Sequence, residues 1–384
     1  MTVYLGARPN VPKAWTLQQA LRAAATVDPA AGFTWSTVHT GQHTHPLLGQ
    51  DLCDELEVRV DRNLGVAGGE TTAERISALM IAIEADIRAD APSAVVAIGD
   101  VNTALACALV CARERIPLIH LEAGLRSGVE TVEEINRRII AACAQFHLVT
   151  TESAARNLLA EGVPADRIWQ VGNPMAECFL RTAQTVEDEK VLAEFGLVRD
   201  DYVLATLHKS DTLTASSILV GLISEIAQDL PVVFPCHPQT QLHLTETGLF
   251  GDLHERVTVL PPVPYRAFGA LLRSARAVVT DSDGVQEECA IGRVRCLSLV
   301  SATARPEILE PDRHLSLNAW ISRPREAVRE RWNRQGTPPS GWDERVSHRI
   351  ALAVPEILHQ LPARPESSLL DGVGMPTLNH SERS

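Results

Sequence analysis

Short apolar runs alternate with helix-like segments along almost the whole of this 384-residue chain. That alternation restricts the fold more than any other feature, because successive parallel strands need crossover helices between them. In the first half, strands are expected at Val3–Gly6, Thr34–His39, Ala94–Ile98, Leu118–His120 and Phe146–Thr150. Helices are expected between them at Lys13–Ala25, Thr72–Ala89, Asn102–Glu114 and Glu133–Cys143. The period restarts after residues 170–174, with strands at Tyr202–Thr206, Val232–Pro235, Val257–Leu260, Ala277–Thr280 and Arg295–Leu299. The restart predicts two α/β domains, residues 1–170 and 171–340, facing each other across a cleft. A last helix, drawn from Trp342 to about Leu361 within residues 341–361, is expected to cross back to the first domain, and residues 362–384 read as a flexible tail.

Composition narrows the function classes. A net charge of −13 with no basic block argues against nucleic acid as a partner. Thr2 to Gly6 read as a strand rather than a signal peptide, and no apolar stretch reaches the roughly 18 residues of a membrane span. The eight cysteines form no Cys-x-x-Cys pair, and Cys107 and Cys111 sit in a helix-like apolar segment as small core residues. A cytoplasmic protein without membrane contact is the expectation.

The most informative stretch runs from His120 to Arg138. Its first part, His120-Leu-Glu-Ala-Gly-Leu-Arg126, follows a buried-strand pattern and sets Glu122 at a strand's carboxyl end, where open α/β sheets bind ligands. Between Leu121 and Ala123 the carboxylate should be partly desolvated, which favours its protonated form and suits acid/base work near neutral pH. Glu133, Glu134 and Arg137 open the next helix. Asp100 follows another strand and is read either as a helix N-cap or as a site residue beside Glu122.

Other motifs are weaker singly. Gly6-Ala-Arg-Pro-Asn10 with Lys13 fits a phosphate at a helix N-terminus or an ordinary turn with solvated cations equally well. Gln42 and His43 fit substrate hydrogen bonding or a structural loop, since no third residue has metal-ligand spacing. His208 and His237 follow strands of the second half. Thr280-Asp-Ser-Asp-Gly-Val-Gln-Glu-Glu288 enters a helix, where Ser282 and the amides near Gly284 can receive an anion and Glu288 a ribose.

In order and spacing these pieces together resemble the non-hydrolysing UDP-N-acetylglucosamine 2-epimerase family, from Gly6 to about Ile350. The resemblance implies a GT-B-like fold of two Rossmann-type domains, with UDP held mainly by the second. It also implies removal of the C2 proton, expulsion of UDP to give 2-acetamidoglucal, and re-addition on the opposite face. By the family pattern Asp100, Glu122 and Glu133 are the acid/base candidates, and Arg8, Lys13, Arg137 and His208 stabilise the departing diphosphate. Ser282, Gly284 and Glu288 would bind phosphate and ribose, Arg305 the sugar side, and Gln42, His43 and His237 complete the binding set. The resemblance implies no cofactor and no metal, and a homodimer. Competing readings are a hydrolysing 2-epimerase, a 2-epimerase of another nucleotide sugar, and a GT-B glycosyltransferase or idle nucleotide-sugar binder.

The chain departs from the family pattern chiefly in its binding half. Asp283 stands where a glycine is usual, which puts a carboxylate beside the expected diphosphate and should weaken it through like charge unless the side chain turns away or pairs. Lys209 and Gln239 replace arginines, Val300 and Ala304 replace an arginine and a glutamate, and Val132 replaces a proline. Gly68-Gly69 stands where members activated by their own substrate carry Arg-Gln, so such activation should be weak or absent.

Overall fold

The computed structural model describes residues 1–27, 33–41, 50–66, 68–207, 216–253, 255–300, 303–309, 314–329 and 337–361. Among them are two wholly parallel sheets. The first has β1 (Thr2–Leu5), β2 (Ser36–His39), β3 (Arg62–Asn63), β4 (Val95–Ile98), β5 (Leu118–Ala123), β6 (Phe146–Val149) and β7 (Ile168–Gln170), in the order β3-β2-β1-β4-β5-β6-β7. The second has β8 (Val203–Thr206), β9 (Val232–Pro235), β10 (Val257–Leu260), β11 (Ala277–Thr280), β12 (Arg295–Ser298) and β13 (His314–Leu315), in the order β10-β9-β8-β11-β12-β13.

The central strands are buried on both faces, with every residue of β1, β4, β5, β6 and β11 buried. This is the pattern of strands covered by helices on two sides, and it explains why they read as apolar runs instead of alternating ones. Each sheet reverses its strand order once, between β1 and β4 and between β8 and β11. Loops diverge there and leave a crevice beyond the strands' carboxyl ends. The Gly6–Arg8 and Gly99–Asp100 turns line the first crevice, and Leu207 and Asp281–Ser282 line the second.

All ten strands expected from the sequence are present, with ends within two residues except at β5. Sequence analysis missed the edge strands β3, β7 and β13, which are only two or three residues long. It also stopped β5 at His120, whereas the strand continues to Ala123 with a register shift between Leu121 and Ala123. The helix drawn from Trp342 begins at Val346 and ends at His359. It packs on the first domain's Asn10–Val27 helix, with Val346, Ile350 and Ile357 joining that domain's core. Cys107 and Cys111 are buried, and the cysteines are all free thiols.

Several contacts hold the domains together. Glu55 of the first domain accepts the backbone N–H groups of Tyr265 (2.8 Å) and Arg266 (2.7 Å), which begin a helix of the second. Such a carboxylate satisfies donors that a helix start leaves open and complements its dipole. Thr16 donates to the Pro174 carbonyl at 2.7 Å. Gly172, at φ +91°, lies where the two chain crossings pass, so close to the Gly341 carbonyl that a Cβ would collide with it.

Candidate active site

Glu122 is the centre of the site. It sits in the β5 irregularity at φ +71°, a conformation uncommon for residues other than glycine, and it is only 3% exposed. Non-glycine residues held there are strained, and the bulge turns this side chain away from the regular pleat. Neighbouring Gly99 ends β4 at φ +69°, where an added Cβ would stand 3.3 Å from Glu122 Oε2 and 3.7 Å from Lys13 Nζ. The turn therefore leaves room for an ion pair. Lys13 donates to Glu122 Oε2, and Arg305 Nη2 donates to Oε1 at 2.6 Å. Lys13 comes from the first domain's Asn10–Val27 helix and Arg305 from the second domain, so the pair of cations closes across the cleft.

This arrangement corrects the expectation that burial would keep Glu122 protonated. Burial does push its pKa up, but the two cations in contact with it more than offset that and hold it well below the usual carboxylate range. Glu122 is ionised at rest. His120, two residues earlier on β5, is buried and pushed down to about 4 by desolvation, with its Nε2 2.8 Å from the Gly99 carbonyl. It is neutral and structural.

A second ion pair forms beside it. Arg137 Nη2 lies 2.7 Å from Asp100 Oδ2, and Asn136 Nδ2 donates to the Asp100 carbonyl at 2.9 Å. The N-cap of the Asn102–Glu114 helix is Val101, without a side-chain bond, so Asp100 is not the cap. Glu134 is buried and shapes the approach: it accepts from Ser127 N–H at 2.8 Å and reaches Arg137 at 3.4 Å. Glu133, its neighbour, is exposed on the helix's first turn and is not brought to the Glu122 cluster.

Next to these pairs lies a cavity of about 400 Å³, lined from both domains by Arg8, His237, Tyr265, Ser282, Gly284 and Glu288 among others. Ser282 caps the Asp283–Gly292 helix, its Oγ accepting from Val285 N–H at 3.5 Å, so the positive end of that helix opens on the cavity. His237 caps the Pro238–Glu246 helix through Nδ1, which accepts from Gln239 N–H at 3.2 Å. Glu288 is buried beside Tyr265, and burial raises its pKa to about 7. Asp283 lies near enough to Arg305 to favour its cationic form. Gln42, His43, His208 and Lys209 lie outside the described residues.

The structure also adds site residues. Glu287 pairs with Arg305 Nε and accepts from Asn173 Nδ2 at 2.6 Å, and Asn10 Nδ2 donates to the Ile98 carbonyl at 3.1 Å beneath the Gly99 turn. Sequence analysis assigned none of the three a role. Asn173-Pro174 carried the only local signal, an N-cap followed by proline, and Glu287 was indistinguishable in kind from Glu288. Among the described residues no group of three or more His, Cys, Asp and Glu side chains could hold a metal. No helix among them is long and apolar enough to cross a membrane.

Residues 25–322 match the family model for UDP-N-acetylglucosamine 2-epimerase. The chain belongs to that family. It is 33% identical over 322 residues to the UDP-N-acetylglucosamine 2-epimerase of Methanocaldococcus jannaschii, covering 81% of this chain and 86% of the relative. It is also 31% identical to a UDP-2,3-diacetamido-2,3-dideoxy-D-glucuronate 2-epimerase from Pseudomonas aeruginosa, covering 79% and 84% of the two chains. A crystal structure of the M. jannaschii protein in complex with UDP-GlcNAc and UDP superposes with a TM-score of 0.82 at 32% identity, covering 92% of this chain and 99% of that one. The two-domain GT-B-like fold expected from the sequence is the fold of these family members.

Proposed function

We propose that this family member interconverts UDP-N-acetylglucosamine and UDP-N-acetylmannosamine without hydrolysis. The observation that carries the proposal is the ionised, buried Glu122 gripped by Lys13 and Arg305 beside a cavity that both domains close. The family match and the M. jannaschii relatives support the choice of substrate.

In this reading uridine and ribose occupy the cavity, with Glu288 on the ribose and the Ser282 helix start on the diphosphate. Glu122 is a weak base while two cations hold it. A bound diphosphate brings negative charge that competes for Lys13 and Arg305, and Glu122 gains basicity when substrate is in place. One carboxylate takes the C2 proton, the C1–O bond to UDP breaks, and a C1=C2 double bond forms. Asp100, held by Arg137, and Glu122 are proposed to divide the proton work between the two faces. Re-addition of UDP to C1 and of a proton to C2 closes the sequence. Cations at the diphosphate offset the charge that develops as it leaves, and the closed cleft keeps water from the glucal. His208, Gln42 and His43 stay in the proposed site as the family pattern places them, whereas Glu133, exposed on its helix's first turn, is left out of the proton work. A cytoplasmic homodimer belongs to the same proposal, supported by the free thiols and by the exposed Ile81, Val132 and Ile135 on first-domain helices.

One experiment tests the reaction: incubation with UDP-N-acetylglucosamine in D₂O, followed by NMR. Deuterium at C2 of a sugar still bound to UDP is the expected result. Free N-acetylmannosamine and UDP would establish the hydrolysing reaction instead. Absence of exchange with this substrate would sink both, and exchange with a 2,3-diacetamido uronate in its place would move the protein to the specificity of the P. aeruginosa relative.

A further inference from the structure

A single buried chain of alternating charge crosses the cleft: Lys13, Glu122, Arg305, Glu287, and then the amide of Asn173. Its members are each 6% exposed or less, and Glu287 and Asn173 are fully buried. The members of this chain lie behind the cavity wall and none of them lines it. The Glu287 carboxylate pairs electrostatically with Arg305 Nε through Oε1, which has no hydrogen-bond partner among the described residues, and accepts from Asn173 Nδ2 at 2.6 Å through Oε2. Asn173 is itself fixed, because its Oδ1 caps the Pro174–Ala183 helix by accepting from Met175 N–H at 2.9 Å.

The geometry of a guanidinium gives this engagement a consequence. Arginine facing one carboxylate tends to pair with it through two parallel N–H bonds. Here Lys13 occupies Glu122 Oε2 and Glu287 occupies Arg305 Nε, so Arg305 meets Glu122 through Nη2 alone. Arg305 Nη1 is left as a buried donor without a partner among the described residues. Buried donors without partners are costly, and one retained in an active site is a candidate for a ligand oxygen. We propose that Glu287 is a positioning residue, which holds Arg305 so that Nη2 meets the acid/base carboxylate Glu122 and Nη1 is presented to an oxygen of the bound nucleotide sugar. The proposal rests on the epimerase reading for its kinetic consequence, but not for the geometry of Arg305. Burial raises the pKa of Glu287 although Arg305 opposes this, in keeping with a carboxylate that needs both partners to stay in place.

Glu287→Gln keeps the shape and removes the charge. Loss of the buried carboxylate paired with Arg305 should lower kcat roughly 10- to 100-fold, while the Kd for UDP changes by less than kcat does. Arg305→Gln should cost at least as much. Adding Glu287→Gln to it should change kcat by no more than about twofold, since a group acting only through Arg305 then has nothing to act on. Asn173→Ser retains an N-cap but removes the donor to Glu287, and should show the same split of kcat from UDP affinity to a smaller degree, even if Glu287→Gln does not fold. A readout independent of turnover is ¹⁵N NMR of the arginine side chains. Distinct, slowly rotating Arg305 Nη signals are expected in the wild type and averaged ones in Glu287→Gln or Asn173→Ser. Multiplicative losses in the double variant, UDP affinity falling in step with kcat, or unchanged Arg305 signals would each overturn the role. Lack of wild-type turnover would sink the epimerase reading, and the NMR comparison would then decide the role of Glu287 by itself.

Discussion

Replacing Glu122 by glutamine separates its catalytic role from its role as a counter-ion. The wild-type carboxylate is shared by Lys13, which has no other ion pair among the described residues, and Arg305, which also has Glu287. In Glu122→Gln the Lys13 ammonium, 6% exposed, becomes an uncompensated buried charge. Removing one partner of a buried pair costs about 3–5 kcal/mol; the glutamine oxygen still accepts one bond, so the low end, about 3 kcal/mol, applies. For domains of this size each kcal/mol shifts Tm by about 2–4 °C, so the ligand-free variant should melt roughly 6–12 °C lower. UDP should behave in the opposite sense. Its diphosphate no longer competes with Glu122 for the two cations, and affinity should rise roughly tenfold, about 1.4 kcal/mol. At a fixed saturating concentration UDP would then stabilise the variant more than the wild type. Exchange at C2 should fall about 10²- to 10⁴-fold, as for loss of a general base. Thermal denaturation with and without UDP, calorimetric titration and the D₂O exchange assay measure the three effects. A variant that melts with the wild type and binds UDP more weakly would refute the view that Lys13 and Arg305 are shared between Glu122 and the diphosphate.

Three further outcomes are expected. Asp283→Gly removes the carboxylate next to the helix start and should tighten UDP binding a few-fold, at a cost of about 0.5–1 kcal/mol of stability from the lost dipole partner and the flexible glycine; unchanged affinity in a titration would mean that its field is spent on Arg305. The folded protein keeps Glu288 protonated up to about pH 7, whereas its ordinary value is 4.5. Its contribution to stability is therefore fully present below 4.5 and is lost as the pH rises through 7, a slope that denaturant melts should find reduced in Glu288→Gln. Uridine, which lacks titrating phosphates, should bind more tightly as the pH rises from 6 to 8 in the wild type and with no such trend in Glu288→Gln; an identical trend in both would remove Glu288 from the ribose. Initial rates should be hyperbolic in UDP-N-acetylglucosamine, because Gly69 packs with its Cα so close that a Cβ would stand 2.5 Å from Glu74 Cβ, leaving no room for a longer side chain. A sigmoidal curve made hyperbolic by trace UDP-N-acetylglucosamine would contradict this.

What the sequence determined by itself is whatever depends on near neighbours along the chain. The period of apolar runs is local, and it was enough for ten strands and two parallel-sheet domains. The turns after β1, β4, β5 and β11 were legible for the same reason, since a strand's carboxyl end is a place along the chain. Two-residue edge strands were not, because a run that short has no period. The state of Glu122 lay beyond the sequence altogether. Leu121 and Ala123 suggested desolvation and a protonated acid, whereas Lys13, 109 residues away, and Arg305, 183 residues away, make it an ionised one. Ion pairs in a low-dielectric interior outweigh the burial that the local sequence shows; the packing of the first domain brings Lys13 to Glu122, and only the closing of one domain on the other brings Arg305.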